Sequence, residues 1–112
     1  MASLVIENDR LIVRLSAWEK LGALRKDDVS VALSNIVSVE RVDDARDGIR
    51  GLRSPGTGVP GVVALGTWRT RHTVDFVATS RKASGYLVEL QDERFDRLVI
   101  ASEPLPELDH LI

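Results

Sequence analysis

The chain has 112 residues, 44% hydrophobic and 29% charged, with a formal net charge of −2 and no cysteine. That length and balance fit one domain, residues 1–112, with a core large enough to need no covalent staples. They exclude disulfides, thiolate metal sites and thiol nucleophiles, and no apolar run approaches the roughly 20 residues a membrane-spanning helix needs.

In chain order, most segments alternate with a period of two, the pattern of strands buried on one face. The start has no basic stretch followed by a long apolar one, so it does not read as a signal peptide and a cytoplasmic location is expected. Leu4-Val5-Ile6 opens as a strand, Asn8-Asp9 turns, and Leu11, Val13 and Leu15 then share one face. Ser16 and Glu19 have the spacing of a capping box, in which the serine oxygen accepts a first-turn amide and the glutamate reaches back. Trp18, Leu21 and Leu24 follow at helical spacing, predicting a short helix over 16–25 that Gly22 weakens by roughly 1 kcal/mol.

Strands are next predicted around Val29 and Val31, and around Val37 and Val39. Residues 43–60 read as one long loop, longer than most connections in compact domains. Further strands follow at 62–68, at Val74, Phe76 and Ala78 (alternating with Asp75 and Val77), at Tyr86, Val88 and Leu90, and at Leu98-Val99-Ile100. Thr70-Arg71 falls at a hairpin tip between two of them. Pro104 and Pro106 suit the start of a C-terminal helix, whose apolar stripe would be Leu108, Leu111 and Ile112 and whose role would be to cap an open sheet edge or barrel mouth.

Gly56-Thr-Gly-Val-Pro-Gly61 matches the spacing G-x-G-x-x-G. A dinucleotide site needs a buried strand before that run and a helix after it, with the phosphates on the helix N-terminus. Here Arg50-Gly-Leu-Arg-Ser-Pro55 precedes, and a strand follows. A Walker loop would need lysine after Gly61, where Val62 stands. The run is better read as two Pro-Gly turns, at Pro55-Gly56 and Pro60-Gly61, and no cofactor is expected.

Charge is unevenly placed. Residues 46–82 carry 7 basic and 2 acidic groups, and residues 83–112 carry 2 basic and 7 acidic ones. Arg50, Arg53, Arg69, Arg71 and His72 form the basic middle and are the candidate anion- or partner-binding residues. Nucleic acid is not expected as a partner, because the domain is net acidic and only 4% aromatic, which leaves few stacking platforms. The only histidines, His72 and His110, lie in separate segments, so no metal-ligand spacing arises. No serine stands in a nucleophile elbow. With no catalytic residues and no metal ligands to name, the chain reads as a non-enzymatic binding module using the 43–61 loop and the 69–72 hairpin. The alternatives are a small-molecule-binding protein or enzyme with a cleft beside the 56–61 segment, and a homo-oligomer joined through exposed strand edges.

The runs at 15–25 (LSAWEKLGALR), 29–40 (VSVALSNIVSVE), 49–61 (IRGLRSPGTGVPG) and 88–100 (VELQDERFDRLVI) together resemble a small uncharacterised protein family of high-GC bacteria. Arginine (12) outnumbering lysine (3) agrees with such coding bias. Over about residues 11–101 the chain also resembles bacterial pleckstrin-homology-like domains. That resemblance implies a mainly β fold of about 7–8 strands, two near-orthogonal antiparallel sheets in a partly open barrel, and a C-terminal capping helix, with the 16–25 helix as an insertion. It assigns no catalytic residue. Lipid-headgroup binding does not carry over, because the first strand–strand loop, Glu7 to Arg10, is short and net acidic.

Overall fold

Strand pairing begins at the N-terminus. In the computed structural model, which describes residues 3–16, 28–59, 63–80 and 83–111, β1 (Ser3–Glu7) and β2 (Arg10–Arg14) form a hairpin. Its two turn residues, Asn8 and Asp9, take φ of 51° and 63°. Short polar side chains tolerate that region, and the resulting turn matches the twist of paired strands. β3 (Val29–Ala32) adds to β2 and completes a three-stranded sheet, β1-β2-β3.

The chain crosses to a second sheet through a 3-10 turn at Leu33–Asn35. Two contacts pin the crossing. The Leu33 amide donates to the Asp9 carbonyl at 3.0 Å. Glu93 Oε2 accepts from Asn35 Nδ2 at 2.7 Å and from the Ala32 amide at 3.0 Å. These donors, the Asn35 amide first, hold the Glu93 carboxyl below the usual range despite its partial burial.

The second sheet comprises β4 (Ile36–Val42), β5 (Leu52–Val59), β6 (Val63–Arg69), β7 (Val74–Ser80), β8 (Gly85–Leu90) and β9 (Arg97–Ala101), in the order β4-β8-β9-β7-β6-β5. Every pair is antiparallel except β7–β9. The exception follows from the path: β8 lies two places from β7, and the β8–β9 hairpin folds back into the gap. A strand antiparallel to β8 in that gap must run parallel to β7.

All eight strands expected from alternation are present. The 43–60 loop is corrected, because 52–59 is itself a strand. Gly56 and Gly58 lie in that strand opposite Gly66 and Ala64, so Pro55-Gly56 is not a turn; the pairing register instead shifts between Arg53 and Gly56. Among the described residues β5 pairs only with β6, and an end strand tolerates the amide that proline lacks. The helix expected at 16–25 and the turn at Pro60-Gly61 lie outside the described residues. Neither sheet closes on itself or on the other, so among the described residues there is no barrel. What stands is a mainly β, two-sheet fold with a C-terminal helix. No helix among the described residues is long and apolar enough to cross a membrane.

Two apolar clusters occupy the two faces of the second sheet. The larger joins it to the first sheet and includes Leu11, Val13 and Val31 against Phe76, Tyr86, Val88, Leu98 and Ile100. The smaller lies on the opposite face: Trp68, Ala64, Val77, Val99 and Ala101, covered by Ala45. β9 therefore buries both faces, which is why Leu98-Val99-Ile100 is continuously apolar. Val37 departs from its expected place. It is 57% exposed, because the β4–β8 register shifts between Ile36 and Ser38 and a bulge turns its side chain outward.

The tail docks on the larger cluster. Helix α1 (Pro106–Asp109) buries Leu108, but Leu111 is 47% exposed and Ile112 lies outside the described residues. The stripe is therefore one residue deep, and polar contacts do the rest. Tyr86 Oη donates to Asp109 Oδ1 at 2.6 Å and accepts from the Leu105 amide at 2.8 Å. Arg41 stacks over the Tyr86 ring, 4.7 Å from its centroid, and donates to the Ser102 carbonyl at 2.8 Å.

Burial, with the bond to Asp109 second, pushes the Tyr86 phenol above its ordinary value. A raised folded value means that the neutral phenol stabilises the fold below about pH 10. That contribution is lost as pH rises through the raised value. The chain has one tyrosine, so tyrosinate absorbance reports Tyr86 alone. Its midpoint should lie above that of a free tyrosine and fall to the ordinary value in urea. Tyr86→Phe should cost about 1–2 kcal/mol and speed amide exchange at Leu108 and Asp109; an unchanged tail would refute the docking role.

Candidate functional site

The basic middle of the sequence converges on one end of the second sheet. Its first part is a strap, residues 43–51, that crosses the face carrying Trp68. Asp44 starts the strap's 3-10 turn, Ala45–Gly48, by accepting from the Arg46 amide at 3.0 Å and pairing with the Arg46 guanidinium at 2.9 Å. The Ala45 amide donates to the Ala83 carbonyl at 2.8 Å. Ala45 is buried, and Ile49 packs beside it.

The strap ends in Gly51, with φ +83°. A Cβ there would lie 2.2 Å from the Arg69 carbonyl oxygen. Strap and hairpin base are thus in backbone contact, which brings the two basic segments side by side.

Arg50 is not an open anion site. Its Nε donates to Asp75 Oδ2 at 2.7 Å and its Nη2 to Asp75 Oδ1 at 3.0 Å, a two-pronged pair. The bond to Asp75 raises the Arg50 guanidinium above its usual value and holds it charged. Asp75 is 1% exposed by side chain. The alternation of β7 placed Asp75 on the face of Val77, opposite Phe76 and Ala78. The strap covers that face, so the carboxylate is buried and needs the arginine as partner. Arg97, from β9, approaches the same carboxylate at 3.6 Å and also donates to the Gly48 carbonyl.

Arg53 pairs in register with Trp68, and its side chain lies outside the described residues. Arg69, Arg71 and His72 sit at the β6–β7 hairpin, as expected for 69–72, and all three are exposed. The threonines build this tip. Thr70 Oγ1 and Thr73 Oγ1 share a 2.6 Å hydrogen bond. Thr70 Oγ1 also accepts from the amides of Thr73 at 3.0 Å and His72 at 3.2 Å. This side-chain-to-backbone network fixes the turn. The side chains of Arg71 and His72 have no hydrogen-bond or ion-pair partner among the described residues.

The sequence reading missed the Asp75–Arg50–Arg97 group and the Tyr86–Asp109–Arg41 group. The signal available for the first was an acid within a strand of the basic segment. For the second there was none, since tail and strand meet only in three dimensions.

A cleft of about 560 Å³ lies elsewhere, walled by Ser3, Leu4, Ala83, Ser84, Ser102 and Leu105 among others. Arg41 Nη2 donates to Ser84 Oγ at 2.9 Å. Among the described residues no group of three or more His, Cys, Asp or Glu is placed to hold a metal. No family model matches the chain, and neither a curated protein nor a solved structure matches it.

Proposed function

We propose that the protein is a non-enzymatic interaction module of pleckstrin-homology-like type, acting in the cytoplasm, that takes an acidic segment of a protein partner at its β6–β7 hairpin. The observation that carries this reading is the threonine-locked tip. Thr70 and Thr73 hold the turn rigid while Arg71 and His72 stand exposed beside Arg69. A preordered cationic tip loses little entropy on binding and offers planar, charge-assisted contacts to carboxylates. Arg50 supports the tip from below through Asp75, in a structural role.

An oligoglutamate peptide titrated into the labelled protein should shift amide resonances at 69–73 saturably, and less so as ionic strength rises past ~0.15 M. Arg69→Glu with Arg71→Glu should weaken that binding about tenfold or more. Shifts centred elsewhere, or undiminished in the double variant, would defeat the reading.

The cleft favours a second reading, a small-molecule site. Ser84 Oγ accepts from Arg41, which leaves its own proton for a bound acceptor. Fragment binding mapped to Ser84 and Leu105, and abolished by Ser84→Ala, would shift the assignment there.

A further inference from the structure

Asp75 is one buried carboxylate with two guanidinium neighbours, and they are not used equally. Arg50, from the strap, takes both oxygens, at 2.7 and 3.0 Å. Arg97, beside Asp75 in the parallel β7–β9 register, stops at 3.6 Å. Its Nε is buried and has no hydrogen-bond partner among the described residues. Buried donors are nearly always paired, so this one calls for an explanation. Meanwhile Arg97 Nη2 donates to Gly48 of the strap.

We infer that the strap is a hinged lid over the smaller apolar cluster, with Arg97 as its release partner. When Arg50 leaves Asp75, Arg97 closes the remaining gap and takes the carboxylate. The same movement breaks the bond from Arg97 to Gly48, so the Arg97 guanidinium trades one acceptor for another. The buried acid is never left unpaired, which is the condition that would otherwise forbid opening.

The rest of the strap suits a lid. Arg50 is already 38% exposed, against 14% for Arg97, so its departure needs little rehydration. Its apolar anchors are Ala45, which is buried, and Ile49, which is only partly so. Asp44, just before the 3-10 turn, and Gly51, at φ +83°, bound the segment. Glu89 pairs with Arg97 across the β8–β9 register. Opening uncovers Trp68, Val77 and Val99, and it needs no ligand at the hairpin.

Residue-resolved amide exchange on the full chain tests this. In dilute urea, the Ala45 and Ile49 amides of the parent should exchange through an opening confined to the strap, at least about tenfold faster than Val77 and Val99. Arg50→Gln should speed the strap amides about tenfold more and leave Val77 and Val99 unchanged. Combining Arg50→Gln with Arg97→Gln should lower the urea midpoint far more than the two single losses together, because Asp75 then has neither partner. Strap and strand amides exchanging together in the parent would overturn the lid. Additive losses in the double variant would overturn the role of Arg97.

Discussion

Replacing Asp75 with alanine is expected to destabilise the fold by about 3–5 kcal/mol, the range for removing one partner of a buried ion pair. The carboxylate is buried at the crossing of β7, β9 and the strap, with Arg50 and Arg97 on it. Arg50 can turn toward water. Arg97 is mostly enclosed, and its charge would lose its buried carboxylate neighbour. The loss corresponds to a fall in melting temperature on the order of 10–20 °C for a chain of this length. Asp75→Asn keeps an acceptor for Arg50 and should lose less. Urea denaturation followed by Trp fluorescence measures both. An alanine variant melting within about 2 °C of the parent would show that the pair contributes no net stability.

Gly51→Ala is expected to be the second most damaging change. At φ +83° an alanine costs about 1–2 kcal/mol from backbone strain alone. Its Cβ would also lie 2.2 Å from the Arg69 carbonyl oxygen and 2.5 Å from the Arg69 carbonyl carbon. Backbone atoms cannot rotate away, so strap and hairpin must separate, adding roughly 1–3 kcal/mol. Gly48→Ala is the control. Its nearest obstruction, at 2.2 Å, is the end of the Leu87 side chain, which can move. Chemical denaturation should rank Gly51→Ala well below Gly48→Ala in stability, and only the former should disturb amide resonances at 69–73. The reverse ranking would mean that strap and hairpin are not coupled.

Most strands were legible because one-sided burial writes itself as alternation. Leu11, Val13, Val29, Val31, Tyr86 and Val88 all point where the period of two placed them. β5 was not legible. Leu52–Val59 reads LRSPGTGV, with proline and two glycines that signal turns locally. It is a strand because β6 offers it a ladder and the end of the sheet tolerates its proline. The basic residues were visible as a group, but their roles were not: Arg50 is held by a buried acid, whereas Arg71 and His72 face solvent on a locked turn.

By itself the sequence determined the class of the fold, the positions of its alternating strands, and the Asn8-Asp9 and 70–73 turns. All of these rest on interactions within a few residues or on a repeating pattern of burial. Tertiary structure alone decided the parallel β7–β9 pairing, the burial of Asp75 under the strap, and the docking of the tail on Tyr86. Each depends on which segments meet across 20 or more positions, as in the Arg50–Asp75 pair, 25 residues apart. No local preference encodes such a meeting; the balance of burial and hydrogen bonding over the whole chain selects it.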